Sequence, residues 1–448
     1  MSIPSAIRHQ CRRMSYISKR ALDNLTPNKL HEIRSHCFHN QYDAQNNPDG
    51  IVALAVAENK LMREEIVSHI NKNMNINPWH LTYGQGPQGD PALRKALASF
   101  VQEVFKPSTE ITDSHICICN GAGSAVDNLS FCMGEPGDGI LVGRPLYVGF
   151  FPDIEARAKI KPVLVPFGDV NPTSAAAVLA YEEAFHRSNA AGVTIRAILI
   201  SSPHNPLGRP YSNEFLIGML KLCSKLNIHL ISDEVYAKSH FPSKDVPEPP
   251  PFVSVLSFPL ERYIDPSLVH VIYAMSKDFC ANGTRIDALI SPFNVQLMRS
   301  FRAVASFTRA SQLAEHSWLN LLTDKPFLET YFPLFQARMT NAYEFTTSFL
   351  REKNIPYNPA SVTSFIWIDL SRYLREDSLD AELELNWRMA REGVWLAMGA
   401  SFASERNGNF RLTFATPWEE LKLGLERLMK VLNEVEQEIN QQMHFRRY

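Results

Sequence analysis

Five short segments carry residues whose types and spacing could do chemistry. Asn120-Gly121-Ala122-Gly123-Ser124 offers small residues and a hydroxyl at the opening of a helix-like stretch. Free backbone N–H groups at a helix start, with a Ser hydroxyl beside them, make an anion site. Arg144-Pro145-Leu146-Tyr147-Val148-Gly149-Phe150 offers a phenol ring, and His204-Asn205-Pro206 offers an amide held between prolines. Asp233-Glu234-Val235-Tyr236 offers a carboxylate and a second phenol. Ser276-Lys277, with Arg285 eight residues later, offers an amine and a guanidinium. Each segment alone is commonplace, and a lone Ser-Lys pair is most often a surface lysine closing a strand.

Each of the five follows an apolar run that reads as a strand. The runs are HICIC (115–119), ILVG (140–143), IRAILISS (195–202), IHLISDEVY (228–236) and SLVHVIYAMS (267–276); KPVLVPF (161–167) adds another. Helical spacing lies between them, at 91–105 with Pro at the first turn and at 121–133, 148–158, 173–190 and 213–227. This alternation predicts an α/β fold with a mostly parallel sheet and helices on both faces. In such sheets ligands bind at the C-terminal ends of the strands, where all five segments fall. The stretch 242–251, PSKDVPEPPP, reads as a loop. Beyond residue 330 the character changes: 364–374 and 410–416 read as strands and 418–440 as a long closing helix. We therefore expect a large domain over 76–330 and a smaller α+β domain over 331–448. The segment 1–75 is expected to contribute to the small domain. No internal repeat is visible.

Taken together, the strand ends present an imine-forming amine, an anion cradle, an extra arginine, a carboxylate, a phenol, an amide and an aromatic plate. One cofactor calls for the whole set, pyridoxal 5'-phosphate. Its aldehyde condenses with a lysine. Its ring nitrogen needs a carboxylate to stay protonated. Its phosphate suits a helix N-terminus and an arginine.

The sequence resembles the fold type I, aspartate-aminotransferase-like pyridoxal-phosphate enzymes. Asn205-Pro-Leu-Gly, Asp233-Glu-Val-Tyr236 and Ser276-Lys277 with Arg285 carry that resemblance. Within the group it looks most like 1-aminocyclopropane-1-carboxylate (ACC) synthase and its relatives, over roughly residues 40 to 430. Asn47-Pro48-Asp49-Gly50, Leu54-Ala55-Val56-Ala57-Glu58-Asn59, PLYVGF (145–150) and GNFRLTFA (408–415) are similar to stretches of that family. The resemblance implies that Lys277 carries the cofactor and removes the substrate Cα proton, with Ser276 beside it. Asp233 would pair with the ring nitrogen, Tyr236 and Asn205 with the ring oxygen, and Tyr147 would stack on the ring. Ala122, Gly123 and Ser124 would cradle the phosphate with Arg285. Arg411 would grip the substrate α-carboxylate bidentately. Glu58 would lie near the substrate amino group. Tyr83 would reach in at the mouth, from the other subunit of a homodimer whose active site is shared.

Three departures from the family pattern stand out. Ala274 occupies the place, three residues before the lysine, where a phosphate-binding serine is usual. Tyr83 matches its counterpart only with an offset. Phe279-Cys280-Ala281-Asn282-Gly283 replaces a small, glycine-rich turn. The resemblance implies ACC synthase-like α,γ-elimination, a carbon–sulfur lyase reaction on S-adenosylmethionine; Glu58 and the family-like N-terminal stretch lean towards it, while Ala274 and the altered mouth lean away. The alternative is an aminotransferase or γ-substitution enzyme acting on a related amino acid. A Glu-Asn pair such as Glu58-Asn59 also serves as a helix cap.

Bulk properties narrow the class. The chain has 448 residues, is 45% hydrophobic and 21% charged, and carries a formal net charge of -2. That balance gives no general attraction to nucleic acid or anionic membrane. A pyridoxal-phosphate-binding regulator is disfavoured, because no DNA-binding segment or basic arm precedes the domain. No apolar run approaches the roughly 20 residues that span a bilayer. The basic start, MSIPSAIRHQCRRMSYISKR, lacks an amphipathic face and is discounted as a transit peptide. Seven cysteines, scattered singly, suit a reducing compartment, so a cytoplasmic location is expected. His31, His36, Cys37 and His39 lack a matching second ligand group, and no metal is expected.

Overall fold

A computed structural model describes residues 17–25 and 29–445; the basic stretch at the start of the chain falls almost wholly outside them. Helix Lys29–His39 leads to a short strand, β1 (Val52–Ala53). Seven strands then build the central sheet. They are β2 (Ile116–Cys119), β3 (Gly139–Gly143), β4 (Lys161–Val165), β5 (Ile195–Ser201), β6 (His229–Asp233), β7 (Val269–Ala274) and β8 (Asp287–Ile290). Their spatial order is β2-β8-β7-β6-β5-β3-β4. All neighbours run parallel except at β8, which is antiparallel to both β7 and β2. The C-terminal ends of β2, β3, β5, β6 and β7 therefore share one edge, and the start of β8 joins them there.

The sheet is covered on both faces, so its strands are apolar without alternation. Every residue of β7 is buried. The flanking helices follow from local signals. Helix Pro91–Val104 starts where the Asp90 carboxylate accepts the Ala92 and Leu93 N–H groups, with Pro91 in the first turn. It buries Leu93, Leu97, Phe100 and Val101 at helical spacing. Helix Asn213–Leu226 is capped by Ser212, buries Phe215, Met219, Leu220 and Cys223, and ends where Asn227 turns left-handed. Residues 242–251 form no helix or strand.

The C-terminal part adds β9 (Tyr357–Asn358), β10 (Phe365–Asp369), β11 (Val394–Trp395), β12 (Ala397–Met398) and β13 (Asn409–Thr413). Four of these form an antiparallel sheet in the order β12-β13-β10-β9. β1 pairs in parallel with β11. Ile33 and Cys37 of helix Lys29–His39 pack with Ala390 and Trp395. Residues 33–53 are thus packed against the C-terminal layer. Helix Lys325–Glu352 runs unbroken through residue 331, and helix Trp418–Phe445 closes the chain.

Candidate active site

The lysine of Ser276-Lys277 leaves the sheet edge by a tight turn. β7 ends at Ala274, and a one-turn helix, Met275–Asp278, follows at once. The strand is thus shorter than the apolar run suggests, and Ser276 is buried in the helical turn instead of ending the strand. Lys277 Nζ donates to the Ala57 carbonyl at 2.7 Å and lies 5.8 Å from the centre of the Tyr236 ring. Burial pushes its amine down to about 8, and the Arg411 charge adds to that; Asp233 and Glu58 pull the other way. Asp278, next in the chain, fixes the turn. Its carboxylate accepts the Lys238 N–H at 2.9 Å, the Ser239 hydroxyl at 2.6 Å and the Tyr273 hydroxyl at 3.0 Å. The turn carrying Lys277 is thereby tied to the segment carrying Tyr236. An Asp beside a Lys has no distinguishing sequence signal, so the anchoring role of Asp278 emerges only in the fold.

The ends of β5 and β6 bring the remaining polar groups beside this amine. Asp233 is 5% exposed, one of its carboxylate oxygens has no partner, and burial raises its pKa to about 7. The Tyr236 hydroxyl is buried without a partner, and burial pushes its pKa far up. The amide oxygen of Asn205 accepts from Arg411 Nη1 at 2.9 Å. The Tyr147 ring is half-buried, edge-on to Phe150 at 5.3 Å. It folds back over Gly149, where a Cβ would strike it.

At one end of the cleft lies the glycine-rich turn. Gly121 has φ +86°, and a Cβ there would collide with the Arg285 guanidinium, so glycine is required twice over. Helix Ala122–Met133 begins immediately, so the N–H groups of Ala122 and Gly123 are first-turn donors without a backbone partner, while the Ser124 N–H donates to the Gly121 carbonyl at 2.8 Å. Ser124 Oγ donates to the Asn120 carbonyl at 2.8 Å. Arg285, itself left-handed at φ +52°, donates to the Asn282 carbonyl at 2.9 Å. Two acids without a sequence signal of their own also face this end. Asp153 lies against Gly123, and Asp287 opens β8.

At the other end lies Arg411, on β13. Phe410 and Leu412 are fully buried on the opposite face of the strand, as its alternation predicts. Arg411 is 4% exposed, donates to Ala55 O at 2.7 Å, and is sandwiched by Phe365 and Phe402 at 4.6 and 4.7 Å. None of the described ion pairs includes it, and its Nε has no partner. Burial pushes its pKa down to about 10. A buried charge without a counter-ion costs several kcal/mol, so the site is built for an anion.

Glu58 stands on the wall near Lys277. It accepts from Asn282 Nδ2 at 2.7 Å and from Arg63 at 2.5 Å. Burial pushes its pKa up, but those bonds and the Arg63 charge outweigh burial and keep it below the ordinary range. Tyr83 is different. Its side chain is 89% exposed and its carbonyl accepts from Arg309. The single chain does not bring it into the cluster.

These residues fit pyridoxal phosphate. An unpartnered buried carboxylate and phenol, a depressed amine and a glycine-gated anion cradle meet along one sheet edge. The chain belongs to the aminotransferase class I and II family, whose model matches residues 49–428. The Leptosphaeria maculans protein named "Probable aminotransferase sirI" is 31% identical over 390 residues, covering 86% of this chain and 92% of the relative. 1-Aminocyclopropane-1-carboxylate synthase 7 of Arabidopsis thaliana is 28% identical over 412 residues, covering 88% and 90%. A Thermus thermophilus aspartate aminotransferase double mutant superposes with a TM-score of 0.74 at 21% identity, covering 93% of this chain and 100% of that one. The chain is therefore a pyridoxal-phosphate-dependent enzyme of fold type I, close to the ACC synthase-like group. Among the described residues no helix is long and apolar enough to cross a membrane.

Proposed function

We propose that this enzyme takes an amino acid whose α-carboxylate docks on Arg411 and that Lys277 removes its Cα proton. When bound, pyridoxal phosphate supplies an aldehyde for the substrate amino group and an electron sink that acidifies the Cα–H. Asp233 holds the ring nitrogen protonated. Tyr236 and Asn205 donate to the ring oxygen, Tyr147 stacks on the ring, and Ser276 lies beside the lysine. The N–H groups of Ala122 and Gly123, the Ser124 hydroxyl and Arg285 hold the phosphate. In the chain without cofactor, burial and Arg411 already bring the Lys277 amine down to about 8, close enough to neutrality to accept and return a proton. That depressed amine, set between an unpartnered carboxylate and a buried arginine, is the observation that carries the reading.

For the reaction itself we favour carbon–sulfur bond cleavage on S-adenosylmethionine. The Cα–H electron pair forms the Cα–Cγ bond as the Cγ–S bond breaks. The products are ACC and methylthioadenosine, and the proton stays on Lys277. Glu58, kept ionised in the cleft wall, suits a substrate bearing a positive sulfur. Transamination is the second reading, favoured by the fungal relatives whose names contain "aminotransferase". Incubation with S-adenosylmethionine and mass spectrometry for ACC and methylthioadenosine tests the first. If neither product forms and a keto acid appears from an amino acid, the second stands.

The partner copy in a homodimer is expected to cover the cleft mouth, where Leu81, Tyr83 and Phe307 are 76%, 89% and 87% exposed. Tyr83 would then act in the partner's site. We keep the large domain at 76–330, the small one at 331–448 and the segment 1–75 with the small domain as the proposed division; the pairing of β1 with β11 supports the joining of that segment, while helix Lys325–Glu352 crosses residue 331 without a break. A cytoplasmic location is the reading that fits the unpaired cysteines.

A further inference from the structure

The phosphate end holds a residue that the proposed chemistry does not use. Asp287 is 0% exposed; the Gly121 N–H stands beside its carboxylate, but neither oxygen has a partner in full hydrogen-bond geometry. None of the described ion pairs joins it to Arg285, two residues earlier. A buried polar group left unmade costs about 1–3 kcal/mol, so a native fold that retains one needs a reason.

Its place gives the reason. Asp287 stands directly across β7 from Ala274 and directly across β2 from Cys119. Residues paired this way share a face, with Cβ atoms about 4.5–5.5 Å apart. The face is that of the cleft, because Ala274 packs with Tyr236 and with Ala122 of the cradle. Ala274 is also the position where the resembling family carries a phosphate-binding hydroxyl. A polar group has therefore been lost on one strand and an unpartnered one stands on the next, side by side.

The surroundings set its protonation. Facing Asp287 are Arg285 from the turn just before its own strand, Asp233 from β6, the Cys119 thiol from β2 and the Gly121 amide that follows β2. Asp153, from helix Phe150–Glu155, couples to both Asp233 and Arg285. Burial raises the Asp287 pKa to about 8; Arg285 and the Gly121 N–H pull it down, and Asp233 pushes it up. Burial thus favours the carboxylic acid, a donor that an anion welcomes. As a carboxylate it would repel one.

We propose that Asp287 is a cofactor-binding residue whose acid O–H donates to the phosphate of pyridoxal phosphate, in place of the hydroxyl absent at residue 274. The proposal rests on the cofactor and not on which reaction the enzyme runs. Pyridoxal phosphate is titrated into the apo chain by quenching of intrinsic fluorescence, with pyridoxal, which has no phosphate, in parallel. At pH 7, Asp287→Ala weakens the phosphorylated form about ten-fold or more and leaves pyridoxal unchanged. Asp287→Asn, which keeps an N–H donor, stays within about three-fold of wild type. Adding Ala274→Ser to Asp287→Ala restores most of the loss. Wild-type affinity falls as pH rises above about 8, and the fall attributable to Asp287 is absent from Asp287→Asn. Should Asp287→Ala not fold, that difference in pH profile decides alone. Equal losses for both ligands would overturn the proposal in favour of a structural role. Tighter binding by Asp287→Ala, or as large a loss in Asp287→Asn as in Asp287→Ala, would overturn it as well.

Discussion

The two arginines of the cleft are built in opposite ways. Arg411 is buried, held by two acceptors and clamped between two aromatic rings. Arg285 is exposed, with one hydrogen bond to the carbonyl of a neighbouring turn. With the substrate carboxylate proposed at Arg411 and the cofactor phosphate at Arg285, the difference follows from what each end would have to do. A substrate that comes and goes in every cycle is recognised by geometry prepared beforehand, since ordering side chains at binding would cost affinity. At the phosphate end, first-turn N–H groups and a glycine-gated turn are already rigid, so the arginine need add only charge. Lys277 lies between them and is coupled to both guanidiniums.

The largest expected effect removes the group common to both ends. Lys277→Ala loses turnover by about 10³-fold or more, since proton transfer alone is worth roughly 10²–10⁴-fold. The cofactor still binds, without the long-wavelength absorption that requires the lysine, and the comparison of the two ends survives. Near-wild-type turnover would remove Lys277 from the chemistry altogether.

Arg411→Lys tests the prepared end. A planar fork becomes a point charge, and the half-saturating amino-acid concentration rises about ten-fold or more. Cofactor retention and its spectrum stay as in wild type. If the thermal transition drops while substrate titration stays put, Arg411 serves the fold and not the substrate.

Arg285→Ala tests the other end and gives the reverse pattern. Charge-assisted bonds to phosphate are worth roughly 1.5–3 kcal/mol, so cofactor affinity falls about ten-fold or more while the substrate constant of the reloaded enzyme holds. Unchanged affinity in a dialysis series would move Arg285 away from the phosphate.

The smallest effect concerns stability. Asp287 has a folded pKa raised to about 8, so the folded apo chain binds a proton that the unfolded chain releases near 4. Its stabilising contribution is greatest at low pH and is lost as pH rises towards about 8. Between pH 6 and 8 the wild-type apo chain should lose stability relative to Asp287→Asn, by on the order of 1 kcal/mol per pH unit. Parallel melting curves for the two would show the same slope if Asp287 were already ionised at pH 6.

Much of the site was legible because its residues sit where strands stop. Asp233, Asn205, Tyr147 and Lys277 each follow an apolar run, and the alternation of Phe410, Arg411 and Leu412 predicted which way the arginine would point. The anion cradle was equally legible, since Gly121 is demanded by its own backbone angle. β8 was not read as a strand, because DALI is four residues long and opens with an acid. Its antiparallel run is also invisible to a pattern of alternating strands and helices. With β8 went Asp287, and with the turn after β7 went the anchoring role of Asp278.

That these chemical groups gather at one sheet edge is therefore legible in the sequence alone, while their order along it follows the strand order of the folded sheet. Strand and helix periodicities are local, and each strand carries its terminal residues to the same edge whenever the connections are helical crossovers. Protonation and pairing are not local. Whether Asp287 is an acid or a carboxylate, whether Arg411 meets a counter-ion, and whether Tyr83 reaches a cleft all depend on groups far apart in the chain. Asp287 faces Ala274 and Cys119 only because β8 inserts between β7 and β2. Arg411 reaches Asn205 and Ala55 across 206 and 356 residues of chain. Those contacts, and the water they exclude, set the electrostatics of the site, and only the tertiary structure decided them.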